Sequence, residues 1–136
     1  EGDYDTAIDN FLTTINIAKD RFGAEAQYLL GNIFFQNQQY EQSLNTLFEM
    51  GEHYSNYEPW FSKAFLLIAD NYMALDELFQ AKATVNSILE NAANEAVIAE
   101  AKEKLLLIQK IEDERAKQEA LEATPVDSTQ QKGGGQ

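Results

Sequence analysis

The sequence predicts an all-α chain of stacked antiparallel helix pairs, and three observations carry that reading. Apolar residues recur three and four positions apart along most of the chain, the spacing of helices with one buried stripe. The pattern Gln27-x2-Leu30-Gly31-x2-Phe34, followed by Ser43-x3-Leu47, returns thirty-eight residues later as Phe65-x2-Ile68-Ala69-x2-Tyr72, followed by Ala81-x3-Val85. In both copies nine positions separate the last aromatic of the first half from the small residue of the second. A period of about 20 to 50 residues that keeps its small and large apolar positions marks units that cannot bury their apolar faces alone and must stack. With 136 residues, 44% of them hydrophobic and 11% aromatic, the chain has ample material for one core.

The elements follow in order. Ala7, Ile8, Phe11, Leu12, Ile15 and Ala18 place a helix over 5–19, and Gly23 is expected to end it. Ala26, Leu29, Leu30, Ile33 and Phe34 define a second helix over 24–36, and Asn37-Gln38-Gln39 the turn after it. A third helix runs from Tyr40 to His53 through Leu44, Leu47, Phe48 and Met50. Pro59 suits a first helical turn, where a missing N–H costs nothing, so the next helix spans 60–75. Asp76-Glu77 reads as a solvated turn, Leu78 to Asn91 as a fifth helix, and Glu95 to Ala123 as a long last one. In that last helix the apolar stripe Val97, Ile98, Ala101, Leu105, Ile108 and Ile111 gives way to a polar stretch from Glu112. Along this helix, pairs such as Glu100 with Lys104 and Asp113 with Lys117 each support the helix by about 0.2–0.5 kcal/mol. Thr124-Pro125 stops it, and residues 126–136 have no apolar face to bury, so a disordered tail is expected.

Net charge narrows the partners. The chain carries −13, and residues 1–94 alone hold fourteen acidic residues against Lys19, Arg21, Lys63 and Lys82. Phosphate binding needs clustered Lys and Arg that release counterions, so nucleic acid is excluded as a partner class. A field of this sign attracts cationic partners and repels anionic lipid, although acidity also serves solubility alone. No apolar run is long enough to span a bilayer. Without cysteine there is neither disulfide nor thiolate chemistry.

Ala24-Glu25-Ala26-Gln27-Tyr28-Leu29-Leu30-Gly31-Asn32-Ile33-Phe34-Phe35 resembles the first helix of a tetratricopeptide repeat, and Tyr40-Glu41-Gln42-Ser43-Leu44 the start of its second. The resemblance runs from Gly2 to about Ala93, with a weaker match over Ala101 to Ile108. It implies a right-handed α-α superhelix: residues 1–22 as the second helix of a truncated repeat, 23–56 and 57–94 as two whole repeats, and 95–123 as a terminal helix. If the first helix lacks its partner, Ile8, Phe11 and Ile15 should expose apolar area. Gly31 and Ala69 are then the points of close approach, with Ser43 and Ala81 facing them and Phe34, Tyr72, Leu47 and Val85 filling the space between. The proline that often closes a repeat is replaced by Lys19, Ser55 and Ala93, and the spacing is 36 and then 38 residues, which implies longer turns. With Ala81-Lys82-Ala83-Thr84-Val85 and Glu100-Ala101-Lys102-Glu103-Lys104-Leu105, the chain is similar to repeat proteins of the Gram-negative envelope, of the Tol-Pal-associated and outer-membrane-assembly type.

In that family the first helix of each unit lines a concave face. The resemblance therefore implies a partner-binding groove of Glu25, Tyr28, Asn32 and Phe35 in one unit and Lys63, Leu66, Asp70 and Met73 in the next. Each set is spaced three or four apart and forms one stripe. Tyr28, Phe35, Leu66 and Met73 offer apolar contact, while Asn32 and Asp70 can bond a peptide backbone or a basic side chain. The competing reading is that Phe35 and Leu66 pack between units and the long last helix fills the groove. The function implied is a non-enzymatic adaptor that binds a basic or apolar protein or peptide. The alternative is a self-associating module that dimerises through its terminal helices.

Catalytic, metal and cofactor motifs are weak by comparison. His53 is the only histidine, with no cysteine to complete a zinc site, so a cap or solvent contact is its expected role. Gly133-Gly134-Gly135 follows no strand and lacks the Gly-Lys-Ser/Thr ending of a phosphate loop. No base and oxyanion-hole motif accompanies the serines and threonines.

Overall fold

Among the residues described by the computed structural model, 2–17 and 20–123, there are six helices and no strand. They are α1 (Gly2–Ile17), α2 (Arg21–Gln36), α3 (Tyr40–His53), α4 (Trp60–Ala74), α5 (Leu78–Asn91) and α6 (Glu95–Ala123). The last four boundaries agree with the sequence expectation to within a residue. Gly23 does not end the first helix. The Asp20 carboxylate accepts from the N–H of Phe22 at 3.0 Å and of Gly23 at 3.3 Å, so α2 starts upstream and Gly23 lies buried in its first turn. The expected extension of α1 over Ala18 and Lys19, the Thr124-Pro125 stop and the tail over 126–136 lie outside the described residues.

The repeat shows in the backbone. After α2, Gln38 adopts φ 60°, the Gln39 N–H bonds Phe34 O at 2.8 Å and the Gln38 N–H bonds Phe35 O at 3.0 Å. After α4, Asp76 adopts φ 62°, with Glu77 N–H to Tyr72 O at 2.8 Å and Asp76 N–H to Met73 O at 3.0 Å. Both are Schellman turns with a left-handed residue that is not glycine, and every partner in one is thirty-eight residues from its counterpart in the other.

Within the first hairpin, the Gln27 amide donates to Thr46 O at 2.7 Å and Ser43 Oγ to Gly31 O at 2.8 Å, contacts that set α2 antiparallel to α3. A Cβ built on Gly31 would lie 2.5 Å from Leu47 Cδ2, so the buried Leu47 side chain would have to shift to admit it. In the second hairpin Ala69, Ala81 and Val85 are all fully buried. Two apolar clusters flank α4. Leu67 and Ile68 join Leu44, Leu47 and Met50 on one side, while Leu66 and Ala69 join Ala81, Val85, Ala101 and Ile108 on the other. A helix that is apolar nearly all round is a buried one. Asn71 is its buried polar exception, donating to Ser43 Oγ at 2.9 Å and to Leu67 O at 3.0 Å, and so linking α4 to the α2–α3 hairpin.

Asn94 caps α6 by accepting from the N–H of Ala96 and Val97. Lys82 with Glu112 at 3.0 Å and Asp76 with Arg115 at 2.6 Å fix α6 antiparallel to α5. The Asp76 turn, expected to be merely solvated, is thus held by both Arg115 Nη atoms, because its left-handed conformation and the run of α6 bring together groups thirty-nine residues apart. From Asp113 to Ala123, α6 is exposed. At the other end, Ile8, Phe11 and Ile15 of α1 are only half-buried and Leu12 is exposed, in line with a helix packed on one side.

The left-handed residues offer a direct check. A non-glycine residue there carries about 1 kcal/mol of steric cost. Gln38→Gly should therefore raise unfolding free energy in urea by about 0.5–1 kcal/mol, whereas a loss would mean that the turn is not the one described.

Candidate binding face

The eight stripe residues come from α2 and α4, and the structure divides them into an accessible group and a covered one. Tyr28 is half-buried with its ring 5.8 Å from Trp60, and Lys63, exposed one turn further along α4, places its ammonium 4.8 Å from the same indole. Phe35 packs edge-on to Tyr40 at 5.6 Å. Glu25 and Asn32 are part-exposed beside them. The α4 end is occupied. Leu66 is only 6% exposed and belongs to the cluster shared with α5 and α6, against which Met73 also packs. Asp70 accepts from Lys104 of α6 at 2.6 Å, and Lys104 lies 3.5 Å from Glu100.

The terminal helix therefore covers the stripe over Leu66, Asp70 and Met73, while Glu25, Tyr28, Asn32, Phe35 and Lys63 keep accessible surface. Three contributors escaped the sequence reading: Trp60, Glu100 and Lys104. Trp60 stands three positions before Lys63, a helical spacing that puts both on one side of α4. The Glu100–Lys104 spacing identified a surface pair, but nothing in it showed that Lys104 reaches across to another helix.

Charges of both signs meet at this face, with Glu25, Asp70 and Glu100 against Lys63 and Lys104. Burial raises the Tyr28 phenol above its ordinary pKa, and Glu100 and Asp70 reinforce the shift. The patch suits aromatic and cationic contacts. The residues brought together include no nucleophile with a base beside it. His53 lies elsewhere, exposed on α3, with Nε2 3.2 Å from Glu49 Oε1. Glu49, Glu52 and His53 lie close enough to share an ion, but all three are exposed on one helix and no described residue of another element joins them.

No helix among the described residues is long and apolar enough to cross a membrane. No protein-family model, curated protein or solved structure matches the chain.

The raised phenol predicts an alkaline effect. A group whose folded pKa lies above its unfolded value stabilises the fold at lower pH and loses that contribution as pH rises past the unfolded value, here about 10. Tyr54 and Tyr72 are raised as well, again chiefly by burial. The thermal midpoint should fall between about pH 9 and 11, and Tyr28→Phe should reduce the fall. An unchanged pH profile would place Tyr28 in open solvent.

Proposed function

We propose that this chain is a non-enzymatic scaffold, a tetratricopeptide-like right-handed stack that binds a segment of another protein along the first helices of its units. The observation that carries the reading is the bond-for-bond repetition of the two hairpin turns, joined to the matching placement of successive helices. The Tyr28–Trp60 contact sets α2 beside α4, and the Asp70–Lys104 pair sets α6 beside α4 in turn. This arrangement supports a binding stripe narrowed by α6 to Glu25, Tyr28, Asn32 and Phe35 of α2, with Trp60 and Lys63 of α4 at its edge. Helices held by packing keep such side chains ordered before a partner arrives, which lowers the entropy lost on association. The acid groups around Tyr28 favour a partner segment that is basic or apolar.

A second reading has its own support. Phe79 is 83% exposed, Leu106 67% and Leu107 49%, an apolar presence on α5 and α6 that fits self-association through the terminal helices.

Two measurements separate the readings. Light scattering over a concentration series should return the monomer mass of 15.4 kDa for a scaffold, and a stable dimer favours self-association. Affinity capture with the native chain should retain a partner that the double variant Glu25→Lys, Asn32→Lys releases and that Glu49→Lys on α3 keeps. Equal retention by all three would remove the stripe from consideration.

A further inference from the structure

The internal repeat allows one joint between helix layers to be compared with the next. Where α2 and α3 meet the start of α4, the joint is filled from within. Ala24, Met50 and Tyr54 are buried there, and Tyr54 is the residue that caps α3. Its ring lies 6.0 Å from that of Tyr57, which packs on the same cluster with Trp60 and Phe61. Thirty-eight residues on, Ala92 caps α5, its N–H bonded to Ile88 O as the Tyr54 N–H is bonded to Met50 O. A methyl group stands where the first joint has a phenol. The connection to α6 also runs only over 92–94, against 54–59 before α4, which leaves no counterpart of Tyr57.

A groove of about 590 Å³ opens at this place, between the first turns of α4, the end of α5 and the start of α6. Phe61, Phe65, Ile88 and Val97 line it, with the two phenylalanine rings 4.9 Å apart. Its size falls within the range of clefts that hold ligands, about 300–1,000 Å³. Glu58 is the one charged residue in its lining, exposed, with its carboxylate accepting from the N–H and hydroxyl of Ser62.

We propose that this groove is a docking site for an aromatic side chain, tyrosine above all, carried next to a lysine or arginine on a partner polypeptide. The sister joint supplies the chemistry of the occupant, since a tyrosine closes the same place one layer earlier. A ring entering here meets the Phe61 and Phe65 rings in the tilted geometries that aromatic groups favour. A neighbouring cation faces Glu58 on a chain of net charge −13. Phe61 and Phe65 lie on a different side of α4 from Lys63, Leu66, Asp70 and Met73. The groove is thus separate from the stripe of the proposed scaffold, and neither site depends on the other.

Amide chemical-shift mapping tests this with the peptide Ac-Lys-Tyr-Lys-NH2 as probe. Saturable shifts should centre on residues 58–65, 87–94 and 97. Ac-Lys-Ala-Lys-NH2 should bind about tenfold more weakly or not at all, and Ac-Glu-Tyr-Glu-NH2 should be weaker by about threefold or more. Ala92 has ψ 140° where Tyr54 has 26°, so two occluding variants are needed, Ala92→Tyr and Val97→Phe. At least one of them, shown folded by its circular dichroism, should weaken the tyrosine peptide. Absence of saturable shifts, shifts centred elsewhere, or equal binding of the alanine peptide would overturn the site. Equal binding of the glutamate peptide would overturn its preference for a basic neighbour.

Discussion

Gly31 faces Leu47 so closely that the smallest side chain would press on it, and the packing of the first hairpin follows from that approach. Backbones this near allow Ser43 to reach the Gly31 carbonyl, and the Ser43 hydroxyl then accepts from Asn71. One short contact thereby settles the spacing within a hairpin and presents the group that receives the next layer. Most buried polar groups are bonded, and the Asn71 amide nitrogen is bonded twice, while its oxygen has no partner among the described residues. The second hairpin reaches a comparable fit by apolar means, with Ala69 and Ala81 in place of Gly31 and Ser43.

The central position of α4 follows from the same packing. It is apolar on two sides because it closes one cluster and opens the next, and its Asp70 is left to meet Lys104 of α6. The terminal helix then acts both as a cover for the second hairpin and as a boundary for the exposed stripe. Its ion pairs to Asp70, Asp76 and Glu112's partner Lys82 draw it along α4 and α5, while its last turns carry no buried residue. The Lys82–Glu112 and Asp76–Arg115 pairs are accessible and add little stability singly, so the part-buried Lys104–Asp70 pair and the apolar contacts of Ala101 and Ile108 do most of the holding.

Much of this was legible because a repeat constrains two stretches of chain at once. The small residues at Gly31 and Ala69, the turns at 37–39 and 76–77, and the helices they join could all be placed from spacing. What escaped depends on neighbours distant in sequence. Periodicity marks the face of α4 that holds Leu66, Asp70 and Met73, but not that α6 lies over it. Glycine is a common helix terminator, so Gly23 reads as an end from sequence, whereas Asp20 supplies the cap and the glycine falls inside α2. Asp76 reads as an ordinary turn residue from its neighbours alone, because Arg115, which holds it, stands thirty-nine positions away. The groove beside Phe65 arises from a difference between copies, an alanine where the other has a tyrosine, and a search for similarity passes over such positions.

The most direct test compares alanine at two glycines. Gly51 also lies in a helix, but a Cβ there would meet nothing within 4 Å, so Gly51→Ala should gain about 0.5–1 kcal/mol from backbone restriction alone. Gly31→Ala gains the same term and must also displace Leu47, an overpacking cost of roughly 1–3 kcal/mol. Urea denaturation of the two variants should therefore leave Gly31→Ala less stable than Gly51→Ala by about that overpacking amount. Equal stabilisation at both positions would show that α2 and α3 are not in close contact, and the account of how the layers fit together would fail.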